Sequence, residues 1–159
     1  MKNKSTTPFN NNIDTGLRML CLLNESHPIS FDLQKLIYLD YITVHSGDID
    51  RSVKSIHPPV PYRSGELLIK RSIIQSSLEL FISRNLIEKK YTKEGIEYKA
   101  SEDSSTFLET LEEEYFIELK ERANWTIKHY SHLRNKELKI FLDRNLDTIQ
   151  GEFNIEILQ

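Results

Sequence analysis

The chain has 159 residues, a formal net charge of −3, 38% hydrophobic and 28% charged residues, and one cysteine. That length holds one well-buried core with an appendage and is short for two ordinary domains. A lone Cys21 excludes an internal disulfide and a cysteine-built zinc site, and it points to the cytoplasm.

Residues 1–10 form a polar, asparagine-rich lead that reads as disordered. It has no apolar core of a signal peptide, and no uncharged apolar run in the chain approaches the roughly 18 residues of a membrane span.

Ile13 to Asn24 reads as a helix, capped by Asn12 or Asp14, with Ile13, Leu17, Leu20 and Leu23 near one face. His27-Pro28 ends it. Ser30 is the expected cap of a second helix reaching Val44, apolar almost all round and therefore central. Asp40 falls on the apolar face of that helix, one turn from Leu36 and Val44. A buried carboxylate needs a partner, because an unpaired one costs several kcal/mol or protonates. Arg63 or a connector histidine is the expected partner, in a structural clamp.

The connector runs from His45-Ser-Gly-Asp48 through His57-Pro58-Pro59 and Pro61-Tyr62-Arg63 to Glu66. Its three prolines exclude helix locally. Ser64 can cap a third helix, striped by Leu67, Ile74, Leu78 and Phe81, with Asn85 as terminator. Leu86–Tyr91 and Ile96–Ala100 alternate around Thr92-Lys-Glu-Gly95 and predict a hairpin. Helix followed by a short charged hairpin is the layout of a winged helix. A short helix from Ser101 or Ser104, a break near Glu112, a long helix with Trp125 and Tyr130, and a shorter helix over 135–146 follow. Residues 152–158, with Phe153 and Ile155, alternate like a strand. The expected fold is therefore α+β and mostly helical. A winged-helix-like core of three helices plus a hairpin occupies 11–100, and a helical extension with a strand-like tail occupies 101–159.

Charge is uneven along the chain. Residues 51–99 carry ten basic side chains against five acids, and residues 100–124 carry eight acids against Lys120 and Arg122. Lys70, Arg71, Arg84, Lys89, Lys90 and Lys93, on the third helix and hairpin, are the candidate DNA or partner contacts. Glu79, Glu88, Glu94 and Glu97 interleave with them and weaken that field. Trp125 and Tyr130 suit interface anchors as well as core.

His45, Asp48, Asp50 and His57 match no zinc spacing, and no serine sits in a strand–turn–helix elbow. Neither Gly-x-x-x-x-Gly-Lys nor Gly-x-Gly-x-x-Gly occurs, so no nucleotide cofactor is expected. These patterns do not describe an enzyme.

Asp14-Thr-Gly-Leu-Arg18, Asp32-Leu-Gln-Lys-Leu36 with Asp40-Tyr41, His45-Ser-Gly-Asp48, His57-Pro-Pro, Pro61-Tyr-Arg-Ser-Gly-Glu-Leu-Leu68 and Ser83-Arg-Asn-Leu86 form an ordered set over about residues 13–130. Together they resemble the middle component of bacterial ABC-three-component systems, the small subunit of Lamassu-type anti-phage defence. Asn85 departs from the glycine of that family's Arg-Gly-Leu run. The resemblance implies a non-enzymatic accessory subunit bridging an SMC-like coiled-coil ATPase and a nuclease-type effector. It implies that His45, Asp48, His57, Tyr62, Arg63 and Glu66 brace the connector against the first two helices. The alternative reading is a stand-alone winged-helix transcription regulator, which predicts a homodimer with salt-sensitive DNA binding.

Overall fold

The computed structural model describes residues 11–59 and 63–145, and the side chains within them apart from those of residues 63–66 and 68. The chain is α+β and mostly helical, with a three-stranded antiparallel sheet. Tyr62, Phe153 and Ile155 lie outside the described residues.

Helix α1 spans Asn12–Ser26. Its cap is Asn11, whose side chain accepts from the Asp14 amide at 2.7 Å, rather than Asn12 or Asp14. Asn11 has extended backbone, so its side chain can turn back onto the first turn, while Asp14 already lies within it. Strand β1, Phe31–Asp32, follows the turn and was not expected: two residues are too few to show alternation. Asp32 then caps α2, Leu33–Val44, accepting from the Lys35 amide at 2.8 Å. Ser30, the expected cap, instead donates to the Glu97 carboxylate of the hairpin.

The connector contains a single helical turn, α3, Ser46–Ile49. Helix α4 spans Arg63–Ser83. Its end fits the expectation for Asn85, which takes a φ of 63° while the Leu86 amide bonds the Phe81 carbonyl. Strands β2, Ile87–Thr92, and β3, Gly95–Ala100, form the hairpin, and the sheet order is β1-β3-β2. Phe31 lies opposite Tyr98, and Tyr91 opposite Ile96. Helices α5, Ser104–Glu109, and α6, Glu114–Tyr130, flank the break expected near Glu112, and α7 covers residues 135–145.

The core lies between α1 and α2, covered by α4, α6 and the sheet. Helix α2 is central, as its composition predicts, but α1 shares that place. Met19 and Leu22 are as buried as Leu20 and Leu23, because α4 and α6 pack against α1 from different sides, while Ile13 stays exposed. Leu119, Ala123, Leu138 and Leu142 join the same cluster, so the helices after residue 100 help build the core.

Candidate functional site

The connector and four helices meet over a buried polar network centred on Asp40, which is 0% exposed. Helix α2 presents Asp40 inward because Leu36 and Val44, one turn away on either side, are both core residues. From α1, Arg18 Nε donates to Asp40 Oδ1 at 2.8 Å. From α4, Lys70 Nζ donates to Oδ2 at 2.7 Å. Arg18 is 1% exposed and Lys70 6%. The two cations hold the Asp40 carboxyl well below the usual carboxylate range, against the desolvation that burial imposes. Arg63, one expected partner, has no described side chain, as is also the case for Glu66. Arg18 and Lys70 replace the connector histidines in the partner role. Asp40 is thus a clamp between α1, α2 and α4.

The histidines sit in a second layer. His57 Nε2 lies 3.0 Å from the Tyr115 hydroxyl of α6, and Arg18 also hydrogen-bonds that hydroxyl. Arginine only donates, so the tyrosine oxygen accepts from Arg18. Burial, with Arg18, Lys70 and His45 nearby, lowers the His57 pKa to about 3, and burial raises that of Tyr115 to about 12. Both rings are therefore neutral at ordinary pH. The His45 ring packs 4.8 Å from Tyr41 and 6.3 Å from His57, and Tyr41 donates to Asp48 at 3.2 Å.

Because its folded pKa lies below the unfolded value of about 6.5, the unfolded chain takes up a proton at His57 before the folded one does. Its contribution to stability is present above about pH 6.5 and lost as pH falls toward 3. Proton NMR should find a His57 ring whose resonances do not titrate between pH 5 and 8. A midpoint inside that range would break the assignment of a neutral, buried ring.

Backbone bonds fix the connector to this network. The Ile56 and His57 amides both donate to the Val44 carbonyl, at 3.0 and 2.9 Å. The Gly47 amide donates to Ser55 Oγ at 2.8 Å, and a Cβ at Gly47 would stand 2.7 Å from that oxygen. Arg122 of α6 reaches across to Ser46 Oγ and the Lys54 carbonyl. Asp48 is thus bonded to Tyr41 of α2 and His57 to Tyr115 of α6. Cys21 is buried and its thiol is pushed up to about 12, which leaves little of the reactive thiolate.

The six basic candidates divide. Lys70 belongs to the core network, a correction to its place in a surface patch: it is buried, and its ammonium is drawn inward by Asp40. Arg71, Arg84, Lys90 and Lys93 are exposed, and Arg71 donates to Gln34 at 2.9 Å. Lys89 pairs with Glu79 at 3.0 Å, and Lys90 faces Glu97 across the hairpin. Trp125 and Tyr130 are half-buried in an aromatic row with His129 and Phe141, at ring separations of 5.4–5.5 Å. Sequence reasoning missed Arg18, Tyr115 and Thr15, the last 3.4 Å from Arg18. The available signal was a single arginine inside the apolar run of α1.

Among the described residues no group of His, Cys, Asp or Glu is placed to hold a metal ion, and no helix is long and apolar enough to cross a membrane. No curated protein and no solved structure matches the chain. A family model does match residues 8–152, nearly the whole chain and every element of the network around Asp40: the chain belongs to the family described as ABC-three component (ABC-3C) system Middle Component 2.

Proposed function

We propose that this chain is a non-enzymatic adaptor with a winged-helix core. It bridges an SMC-like coiled-coil ATPase and a nuclease-type effector in a Lamassu-type anti-phage defence complex. Membership of a middle-component family carries this reading, since a middle component implies partner components. The arrangement of side chains supports it: the residues with most chemistry, Asp40, Arg18, Lys70, His57 and Tyr115, tie helices and connector together. The order α1, β1, α2, α4, hairpin, with the single turn α3 inserted between α2 and α4 and with β1 beside the second hairpin strand, supports the winged-helix assignment.

In this reading the half-buried row around Trp125 and Tyr130, together with the connector, faces one protein partner. The exposed Arg71, Arg84, Lys90 and Lys93, with Lys89, face the ATPase head or DNA. Reversing Lys89, Lys90 and Lys93 to glutamate should weaken DNA-dependent activation of the reconstituted complex at least tenfold while leaving the chain folded by circular dichroism. Unchanged activation would clear the hairpin of that role. Should the purified chain alone bind one DNA sequence as a homodimer, the regulator reading would replace this one.

A further inference from the structure

Helix α6 packs on the core through Leu119, Ala123 and Thr126, all fully buried. At about 100° of turn per residue, the stripe on its opposite side is Glu114, Ile117, Glu118, Glu121, Trp125 and Lys128. That stripe is apolar at two points. Ile117 is 48% exposed. Half-buried Trp125 lies about 12 Å further along the helix, where it meets Tyr130 and, through it, Phe141. Three exposed carboxylates, of Glu114, Glu118 and Glu121, flank and separate these anchors. Glu25 of α1 adds a fourth beside them, accepting from Asn124 at 2.7 Å.

The cations that could balance these acids point elsewhere. Lys120 Nζ donates to the Leu108 and Leu111 carbonyls at 3.0 and 3.1 Å, across the end of α5. Arg122 is held by Ser46 and by the Lys54 carbonyl of the connector. Among the described residues, the one ion pair made by an acid of residues 100–124 is Glu102 with His27, at 3.9 Å. Lys128, in the last turn, is the sole cation on the stripe.

We infer that this face of α6 docks a basic amphipathic helix of the protein partner. Apolar side chains of that helix would lie over Ile117 and Trp125, and its lysines or arginines would meet Glu114, Glu118 and Glu121. The inference rests on the adaptor reading and gives the chemistry of that contact. A helix laid along a surface is recognised by apolar anchors repeated at helical spacing, and tryptophans are frequent centres of binding energy. Charge favours a partner over a second copy. In this chain's own basic stretch Lys70 is buried on Asp40, Lys89 pairs with Glu79, Lys99 pairs with Glu88, and Lys90 faces Glu97. A second copy therefore presents no unbroken basic strip.

Amide NMR of the full-length chain, titrated with a synthetic amphipathic helix of leucine and lysine about 15 residues long, tests the surface directly. The shifts should fall on residues 114–128, with an affinity at least tenfold above that of a scrambled peptide of the same composition. Ile117→Ser should weaken binding several-fold, and Glu114→Gln, Glu118→Gln and Glu121→Gln together at least tenfold. These side chains are exposed, so the variants keep the fold. In the assembled complex, a photo-crosslinker at position 117 should join a lysine- or arginine-rich segment of a partner component. The inference is overturned if the scrambled peptide binds as well, if the shifts fall on the hairpin, or if position 117 links to a second copy of this chain. A complex that assembles without any link from position 117 would overturn it and leave the adaptor reading standing. Ordered-peptide binding with no co-purifying component would remove the adaptor reading alone.

Discussion

Asp40→Ala is expected to destabilise the chain by about 3–5 kcal/mol, because it leaves Arg18 and Lys70 buried without their common carboxylate. Urea unfolding should show the loss as a lower midpoint at unchanged slope. The same network predicts a contrast. Replacing the three charges together, as Arg18→Met, Asp40→Leu and Lys70→Met, should cost far less than the single change. Desolvating three ions offsets most of what their attraction contributes. A single variant as stable as the parent would mean that Asp40 does not hold the two cations.

Acid should reveal the same residue. The Asp40 carboxyl is held well below its unfolded value of about 3.9, so the stability it contributes is present above pH 4 and lost as pH falls below it. His57 adds loss at milder acidity, between about pH 6.5 and 3. His57→Gln should therefore flatten the upper part of the pH–stability curve, and Asp40→Asn the lower part.

The second large effect is expected at Gly16. A Cβ there would stand 2.2 Å from a ring carbon of Phe81, where α1 and α4 pack. Gly16→Ala should thus cost about 1–3 kcal/mol through overpacking, despite alanine's better helix propensity. Phe81→Leu made alone opens a cavity and also destabilises. Combined, the two changes should cost less than their sum, since the smaller side chain vacates the space that the methyl needs. Additive losses would show that the methyl and the ring do not compete for one space, and a stabilised Gly16→Ala would show that the two helices separate without penalty.

The pattern of what the residues disclosed follows from the range of the forces involved. Helix spans, the hairpin and the left-handed Asn85 depend on local periodicity and turn chemistry, and they were readable. Asp40 announced its burial because its neighbours one turn away are apolar. Its partners did not, because Arg18 and Lys70 come from other helices, and a lysine's place on the surface or in the core is set by what faces it. Lys70 looked like one more member of a basic run until α4 was packed against α2. Strand β1 escaped notice because its identity comes from pairing with Tyr98 and Glu97, some 65 residues away. Gly16 carried no signal of its own, since the need for glycine there is created by the Phe81 ring.

In the adaptor reading this chain joins two larger components. Affinity purification of the tagged, full-length chain from its native host, with mass spectrometry of the co-purifying proteins, tests it most directly. The adaptor reading predicts a coiled-coil ATPase and a nuclease-type subunit in stable proportion, both reduced when Trp125→Ala is used as bait at unchanged fold. Recovery of this chain alone, as a homodimer that retains DNA, would contradict it.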